Sequence, residues 1–281
     1  MREYPLVPLK NTVVFPRMRA NLTIVRPRSL QAVADAWEHA RTFVVAKQRA
    51  TEVDDPKPND IHTVATLVQM LSFEREGDTA QVQVEGQRRV RIDEWVAQDP
   101  ALRVLTARIA EPSGTTPTAQ ALVRHAHEIF DRYIQLNRRF SAQEIESIMV
   151  MRSPSRLADV LAAHLVADPE KQQELLETID PEQRLEKICV ILGNAIEVLD
   201  MEQRIRQRVR EQVDRNQQEY YLKEQLKAIQ RELGQDTLTE GQELRERVAQ
   251  KGMPAEVETK VLKEITKLER TSEQNPEQGW I

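Results

Sequence analysis

The sequence predicts an α+β fold, in which a small β-barrel precedes an α-helical bundle with a long projecting helix. Three observations predict it. Residues 4–112 consist mostly of short β-prone runs, and the residues after a linker at 112–117 carry apolar side chains at helical spacing. A third stretch, 180–234, contains no proline after Pro181 and one interior glycine, Gly193, so it is predicted to form one helix, which Gly193 and Asn194 could kink.

The many short β-prone runs of the first part predict a small, partly closed barrel. A helix interrupts them at 29–40, where apolar residues recur three and four positions apart. Turn residues separate the later strands, at 77–78 and at 86–87. The predicted strands are 6–9, 12–15, 22–26, 42–46, 63–73, 79–84, 88–95 and 102–109.

The later strands alternate apolar and charged side chains with the period of two that β-structure requires. We expect the apolar residues to form one inward face of the barrel wall. We expect the charged residues between them to lie outside. The inward residues are Val82, Val84, Val90 and Ile92, and the outward residues are Arg89, Arg91 and Asp93.

Capping residues mark the beginnings of the predicted helices. Ser141, Ser153 and Asp168 each precede a helix, and Asp180 with Pro181 begins the long one, which Gly234 is suited to end. A single helix of this extent would be roughly 80 Å long, so we expect it to leave the domain that anchors it. The predicted domains are 1–112 (β-barrel), 118–199 (helical bundle), 200–245 (long helix and its turn) and 246–281 (helical linker).

The long helix changes in composition along its length. Residues 185–199 are rich in apolar side chains and are predicted to pack in the bundle core. In 200–219 the strongly apolar residues are few and stand four apart, so this part cannot be packed on several sides. We predict a binding surface here, formed by Met201, Ile205, Val209, Val213, Tyr220 and Tyr221.

This sparse apolar surface has two interpretations. One is a seam against another helix, in the same chain or in a neighbouring subunit. The other is a binding surface for exposed apolar segments of other polypeptides, because methionine and tyrosine side chains tolerate varied partners. The residues alone leave both open.

Charge and composition argue against several classes of partner. The net charge of −5 gives no overall electrostatic reason to bind nucleic acid or anionic lipid. The arginines at 204, 206, 208 and 210 are scattered around the helix and interleaved with acidic residues, so a solvated face is expected. No apolar run approaches a membrane span, and a single cysteine suits a reducing compartment, so we expect a cytoplasmic protein.

Compact catalytic and cofactor motifs are absent from the sequence. None of the eight glycines falls in a phosphate-binding GxxxxGK[ST] or GxGxxG frame. The five histidines form no pair at metal-binding spacing, and surface or rim positions are expected for them. Cys189 lies on an apolar helix face and is expected to be buried and unreactive. We therefore predict no catalytic residue, cofactor or metal in this chain.

Several segments resemble, in order along the chain, the N-terminal region of the Lon protease family. The opening strand pair of that family resembles LVPLKNTVVFP (6–16), although Lys10 and Asn11 replace the usual arginine and aspartate. Its later hairpin is similar to VEGQRRVRI (84–92), and its bundle helix is similar to SRLADVLAAHL (155–165). Its helical signature resembles YYLKEQLKAIQRELG (220–234), and the approach to its ATPase module resembles GMPAEV (252–257) and KLER (267–270).

The resemblance implies a PUA-like β domain, a helical bundle and a long connecting helix. These belong to a homohexameric, ATP-dependent serine protease of protein quality control and the stress response. The Walker motifs and the Ser–Lys dyad of the family should follow residue 281, so ATP and Mg²⁺ are expected only there. The resemblance therefore implies a non-catalytic region that recognises unfolded, damaged or degron-bearing proteins, with hexamer assembly as the alternative role.

Overall fold

The computed structural model describes residues 2–112, 116–137, 139–232 and 236–270, with side chains at all of these positions except 230–240 and 268–270. The chain forms two compact units, 1–201 and 202–281. The four domain ranges predicted from the sequence are finer than this division and stay predictions.

Six strands form one sheet that closes on itself. They are β1 (Arg2–Leu9), β2 (Arg19–Ile24), β3 (Thr42–Lys47), β4 (Val64–Glu76), β5 (Thr79–Ala97) and β6 (Arg103–Arg108). Their order is β2-β5-β4-β3-β1-β6, and β6 also pairs with β5. Five strands therefore close into a ring, and β2 adds to the outer edge of β5. The pairing of β1 with β3 is parallel, and the other pairings are antiparallel.

The helices begin near the capping residues that the sequence contains. They are α1 (Pro27–Glu38), α2 (Pro117–Leu136), α3 (Ala142–Met149), α4 (Pro154–Leu165), α5 (Pro169–Glu177), α6 (Pro181–Glu232), α7 (Asp236–Lys251) and α8 (Ala255–Arg270). The Asp180 side chain accepts a hydrogen bond from the Glu182 amide at 3.0 Å, and Ser141 forms a capping box with Glu144. Gly234, the predicted end of the long helix, lies outside the described residues.

The turn predicted at 86–87 is wrong, because β5 continues through it as one strand. In the pairing with β4, Val68 faces Gly86 and Leu67 faces Arg88, so Gln87 is an extra residue. This arrangement is a β-bulge, which suits a position where another part of the backbone approaches closely.

The bulge also corrects the predicted inward face of β5. Because one extra residue reverses the alternation of side chains, residues of equal parity before and after it point to opposite faces. Val82 and Val84 pack in an apolar cluster that includes α1. Val90 and Ile92 pack in a separate cluster with residues of β1, β3, β4 and β6. The apolar residues of β5 therefore lie on two opposite faces of the strand, and the predicted single inward face is wrong.

The strand predicted at 12–15 is absent, and a loop takes its place. This loop is held against the bulge by two backbone hydrogen bonds, from Arg17 to the Gly86 oxygen at 2.7 Å and from Gly86 to the Met18 oxygen at 2.9 Å. Phe15 is fully buried and packs in the apolar core of the helical bundle. The loop thus joins the barrel to the bundle.

The helical bundle has one continuous apolar core. It takes side chains from α2, α3, α4, α5 and the first part of α6, which confirms that this part of the long helix packs in the bundle. The fully buried members include Phe130, Leu157, Leu161, Leu185, Ile188 and Leu192. Burying a side chain of this size contributes about 1.5–3 kcal/mol.

A buried cluster of four charges links the barrel to the bundle. Arg89 of β5 donates two hydrogen bonds to Asp159 of α4, at 2.6 and 3.0 Å, and one to Glu111 at 2.7 Å. Arg184 of α6 lies 3.2 Å from the Asp159 carboxylate and 3.5 Å from Glu111. The prediction that Arg89 lies outside in solvent is wrong, because the helices cover that face of β5 and leave 2% of Arg89 exposed. Arg91 and Asp93 are exposed as predicted.

The Glu111 carboxylate of this cluster is held in its charged form by its neighbours. Burial disfavours the charged form of Glu111. A hydrogen bond from Ser155 and the charges of Arg89 and Arg184 outweigh that effect, so the pKa of Glu111 lies below its usual range. Arg89 Nε also donates to the Leu176 carbonyl at 2.9 Å. The cluster is therefore a paired structural network.

Helix α6 is continuous for 52 residues and passes through Gly193 without a break. A Cβ built at Gly193 meets no other heavy atom within 4 Å. We expect Gly193→Ala to stabilise the first unit by about 1 kcal/mol, because alanine loses less backbone entropy in a helix than glycine does. A urea titration monitored by circular dichroism measures this as a higher midpoint at unchanged slope.

A matched control for this substitution is Gly77→Ala. A Cβ at Gly77 also meets nothing within 4 Å, but its φ of +59° lies in the left-handed region. We expect Gly77→Ala to destabilise the fold by about 1 kcal/mol, because L-residues are strained there. If both substitutions shift the midpoint in the same direction, the helix-entropy explanation is wrong.

The second unit contains the rest of α6 and the pair α7 and α8. Val248 of α7 and Ile265 of α8 are buried, and Thr266 accepts a hydrogen bond from Arg245 at 3.0 Å. α7 begins earlier than the helix predicted from residue 243, and α8 has the predicted bounds. The tail at 271–281, predicted to be loose, lies outside the described residues.

Candidate functional site

The six residues predicted to form a binding surface all lie on α6 and are all exposed. We call them the apolar stripe: Met201, Ile205, Val209, Val213, Tyr220 and Tyr221. Their exposed fractions range from 48% to 68%. Large apolar side chains are usually buried against the rest of the protein or against a binding partner. A run of exposed ones along one helix therefore indicates an interaction surface.

The geometry of an α-helix places five of the six residues on one side. Each residue advances about 100° around the axis, so each four-residue step moves about 40°. The positions from Met201 to Val213 therefore spread over an arc of about 120°, and Tyr220 falls inside it. Tyr221 lies about 80° beyond that arc, so the structure does not bring it together with the others.

Further exposed apolar residues lie on α6, and sequence reasoning named only Leu222 among them, directly after the two tyrosines. Val198, which it missed, lies one turn before Met201 and falls within the same arc. Three others follow the tyrosines at spacings of four and three, and that spacing is the signal that could have identified the last two. They are Leu222, Leu226 and Ile229, exposed by 61%, 56% and 55%.

The polar side chains around the stripe pair within the helix itself. Arg206 bonds to Glu202 at 3.4 Å, and Gln207 bonds to Glu211 at 3.1 Å. Gln225 donates to the Tyr221 hydroxyl at 3.0 Å. Such pairs three or four residues apart stabilise an exposed helix by about 0.2–0.5 kcal/mol each. The arginines from 204 to 210 are exposed, with Gln207 within the run and Glu202 and Glu211 on either side of it.

Other candidate groups offer no reactive centre. Burial, followed by the charge of Glu186, raises the pKa of the Cys189 thiol to about 11, so it stays protonated as a buried side chain. His127 is also buried, which corrects the expected surface position. Its Nε2 lies 3.2 Å from the Ile148 carbonyl, and burial lowers its pKa. Across the residues that the structure describes, no group of three His, Cys, Asp or Glu side chains is arranged to hold a metal.

Within the described ranges, no helix is both long enough and apolar enough to cross a membrane.

The chain matches the sequence profile of one family over residues 3–194. That family is described as the ATP-dependent protease La (LON) substrate-binding domain. The matched range covers the barrel, the bundle and the first part of α6 and ends before the apolar stripe.

Curated relatives extend the similarity to nearly the whole chain. Lon protease 1 of Thermus thermophilus is 41% identical over 98% of this chain, and Lon protease of Xanthomonas oryzae is 37% identical over 99%. Lon protease 1 of Bacillus subtilis is 34% identical over 100% of the chain. The chain spans only 35%, 33% and 37% of these relatives, about a third of their length.

A solved structure shares the fold. The N-terminal domain of Mycobacterium avium complex Lon protease superposes with a TM-score of 0.58 at 21% identity, over 68% of this chain and 98% of that domain. The closed barrel, the helical bundle, the family profile and the curated relatives agree, and the chain belongs to the family of the ATP-dependent protease La (Lon) substrate-binding domain.

Proposed function

We propose that this chain binds unfolded, damaged or degron-bearing polypeptides through the apolar stripe and passes them to the ATPase and protease parts of a Lon-type enzyme. The observation that carries the proposal is the exposure of these apolar side chains along α6. Apolar segments exposed by an unfolded chain would gain favourable burial there, at about 25 cal/mol for each Å² removed from water. The description of the matching family as substrate-binding supports substrate recognition by this chain, although the matched range, 3–194, ends before the stripe.

In this proposal the chain carries no catalytic group of its own. Peptide-bond hydrolysis, ATP and Mg²⁺ belong to the remaining two thirds of a Lon-type protease. The chain then contributes recognition, and binding of an unfolded polypeptide to it needs no nucleotide.

Assembly with neighbouring subunits is the second candidate function. Met201 and Leu222 are three heptads apart, and so are Ile205 and Leu226. Ile229 follows Leu226 by three residues, so Leu222, Leu226 and Ile229 form a second short group of apolar residues. This spacing favours two contacts with a partner helix, as in a coiled coil. In this alternative, we propose that α6 pairs with α6 of another subunit in a hexamer.

One triple variant tests substrate binding. We expect Ile205→Glu, Val209→Glu and Val213→Glu together to weaken binding of a denatured protein at least tenfold, because three charged groups would face its apolar segments. Fluorescence anisotropy of a labelled, permanently unfolded protein measures the affinity, with its native form as the comparison. A tenfold loss corresponds to about 1.4 kcal/mol.

The matched control is Gln203→Glu, Gln207→Glu and Gln218→Glu. It adds the same charge to the same part of α6 but lies outside the arc of the stripe, so binding should stay within about twofold of wild type. Equal losses in both variants, or equal affinity of the native chain for folded and unfolded protein, would contradict the proposal. Light scattering on the same samples tests the assembly alternative. That alternative predicts that the stripe variant no longer associates with other subunits but still binds the denatured protein.

A further inference from the structure

A cavity of about 500 Å³ opens in the barrel unit where β2 ends and α1 begins. This volume is typical of sites that bind a small ligand or the end of a larger one. Much of its wall is apolar, formed by Pro8, Val25, Pro27, Pro56 and Leu102. Its charged side chains are Lys10, Arg26, Arg28, Asp54 and Asp55.

Of the three cations in this wall, Arg26 is the one that forms no ion pair with the described residues. Lys10 pairs with Asp54 at 2.7 Å, and Arg28 pairs with Asp55 at 3.0 Å. For Arg26, no carboxylate of the described residues lies within 4.0 Å. Its two guanidinium nitrogens reach the Pro8 and Val53 carbonyls only at 3.5 Å, the outer limit of a hydrogen bond.

The surroundings of Arg26 strengthen its attraction for an anion. Partial burial lowers the pKa of Arg26, against the opposing charges of Asp54 and Asp55, and the guanidinium stays protonated at neutral pH. A partly buried guanidinium gains more from a carboxylate than one in open solvent, because the local dielectric constant is lower. The lining carries three cations and two carboxylates beside its apolar residues, so one positive charge is in excess, and it matches a ligand with one negative charge and an apolar body.

A groove along β2 leads into this cavity. A neighbouring cavity of about 280 Å³ shares Pro8, Lys10, Val25, Arg26 and Ser29 with it and extends back to Asn21. β2 pairs with β5 on one edge, and in the described sheet its other edge has no strand partner. The opposite wall is the end of β1, which pairs with β6 only as far as Pro5. A free strand edge of this kind accepts an extended peptide through main-chain hydrogen bonds.

We propose that this cavity binds the C-terminal carboxylate of an extended polypeptide with apolar last residues, and that Arg26 pairs with that carboxylate. The preceding residues lie in the groove, parallel to β2. Because α1 begins directly beyond Arg26, a chain in the groove ends there. The inference deepens the proposed function and rests on it only for the ligand class, a polypeptide.

The test compares two labelled hexapeptides with the same apolar sequence, one with a free C-terminal carboxylate and one with a C-terminal amide. We expect fluorescence anisotropy with the full chain to show at least tenfold tighter binding of the free acid. Arg26→Gln should lower the affinity for the free acid to that for the amide, and Arg26→Lys should retain part of the difference because it keeps the charge. Arg19→Gln, also on β2 but outside both cavities, should leave the ratio unchanged.

Two further ligands identify the source of the carboxylate. An amidated peptide ending in aspartate and the small acid hexanoate should both compete at least tenfold more weakly than the free-acid peptide. Equal binding by either one overturns the assignment to a polypeptide C-terminus. A free-acid to amide ratio near one in the native chain, or no binding of either peptide, overturns the proposal without any variant. Binding of an unfolded protein to the apolar stripe is measured separately. It shows whether the proposed function also fails when the C-terminal carboxylate proposal does.

Discussion

Replacing Asp159 with asparagine is expected to destabilise the first unit by about 3–5 kcal/mol, the largest effect that we predict for a single substitution. Asp159 is 4% exposed and lies between two buried arginines, Arg89 and Arg184. Asparagine keeps the volume but removes the negative charge and turns an amide donor towards guanidinium donors. Two buried cations would then share Glu111 alone, and unpaired buried charge is strongly unfavourable.

Equilibrium unfolding in urea at neutral pH measures this loss as a lower midpoint. The control is Asp200→Asn, which breaks the exposed pair between Asp200 and Arg132 at 2.7 Å. Exposed pairs contribute about 0–1 kcal/mol, so the control should change the free energy of unfolding by less than that. Similar losses for the two variants would show that the buried cluster is no more important than a surface ion pair.

Substitution of Gly86 by alanine is expected to cost about 3 kcal/mol, at the upper end of ordinary overpacking effects. A Cβ at this position would stand 2.1 Å from the Phe15 carbonyl oxygen and 3.1 Å from the Pro16 Cα. Both are backbone atoms, so no side chain can turn away to make room. The loop must move, and it would then lose its two hydrogen bonds to Gly86 and disturb the buried Phe15 ring.

The thermal unfolding midpoint of Gly86→Ala should therefore fall well below that of wild type. Gln87→Ala provides the control, because Gln87 is the exposed extra residue of the same bulge and should change stability by at most about 0.5 kcal/mol. A Gly86→Ala variant as stable as the Gln87→Ala variant would mean that the loop adapts at little cost.

Much of the fold could be predicted from local patterns. Proline and capping residues mark the beginnings of α4, α5 and α6, because a helix end must satisfy its own backbone groups from nearby residues. The bounds of α8 follow from its amphipathic spacing. The stripe on α6 was equally visible, since four apolar residues in a polar stretch of helix have no neighbours along the sequence to bury them.

The candidate sites were only partly accessible from the sequence. The stripe residues could be named, but their function depends on partners that the sequence does not contain. The cavity at Arg26 could not be predicted, because its walls come from β1, the residues after β2, α1, the loop after β3 and the residues before β6. These segments are far apart in the sequence and meet only in the folded chain, so no short motif indicates the cavity.

The sequence by itself determined most of the helices and strands, although not the loop at 12–15 or the continuity of β5, and it contained the motifs that identify the family. These properties depend on residues a few positions apart, through backbone propensity and the periods of the helix and the strand. Only the tertiary structure decided that β5 passes through Gly86 with a bulge and that Arg89 is buried beside Asp159. The physical reason is that burial depends on what covers a face, and the segments that cover β5 lie at distant positions in the chain.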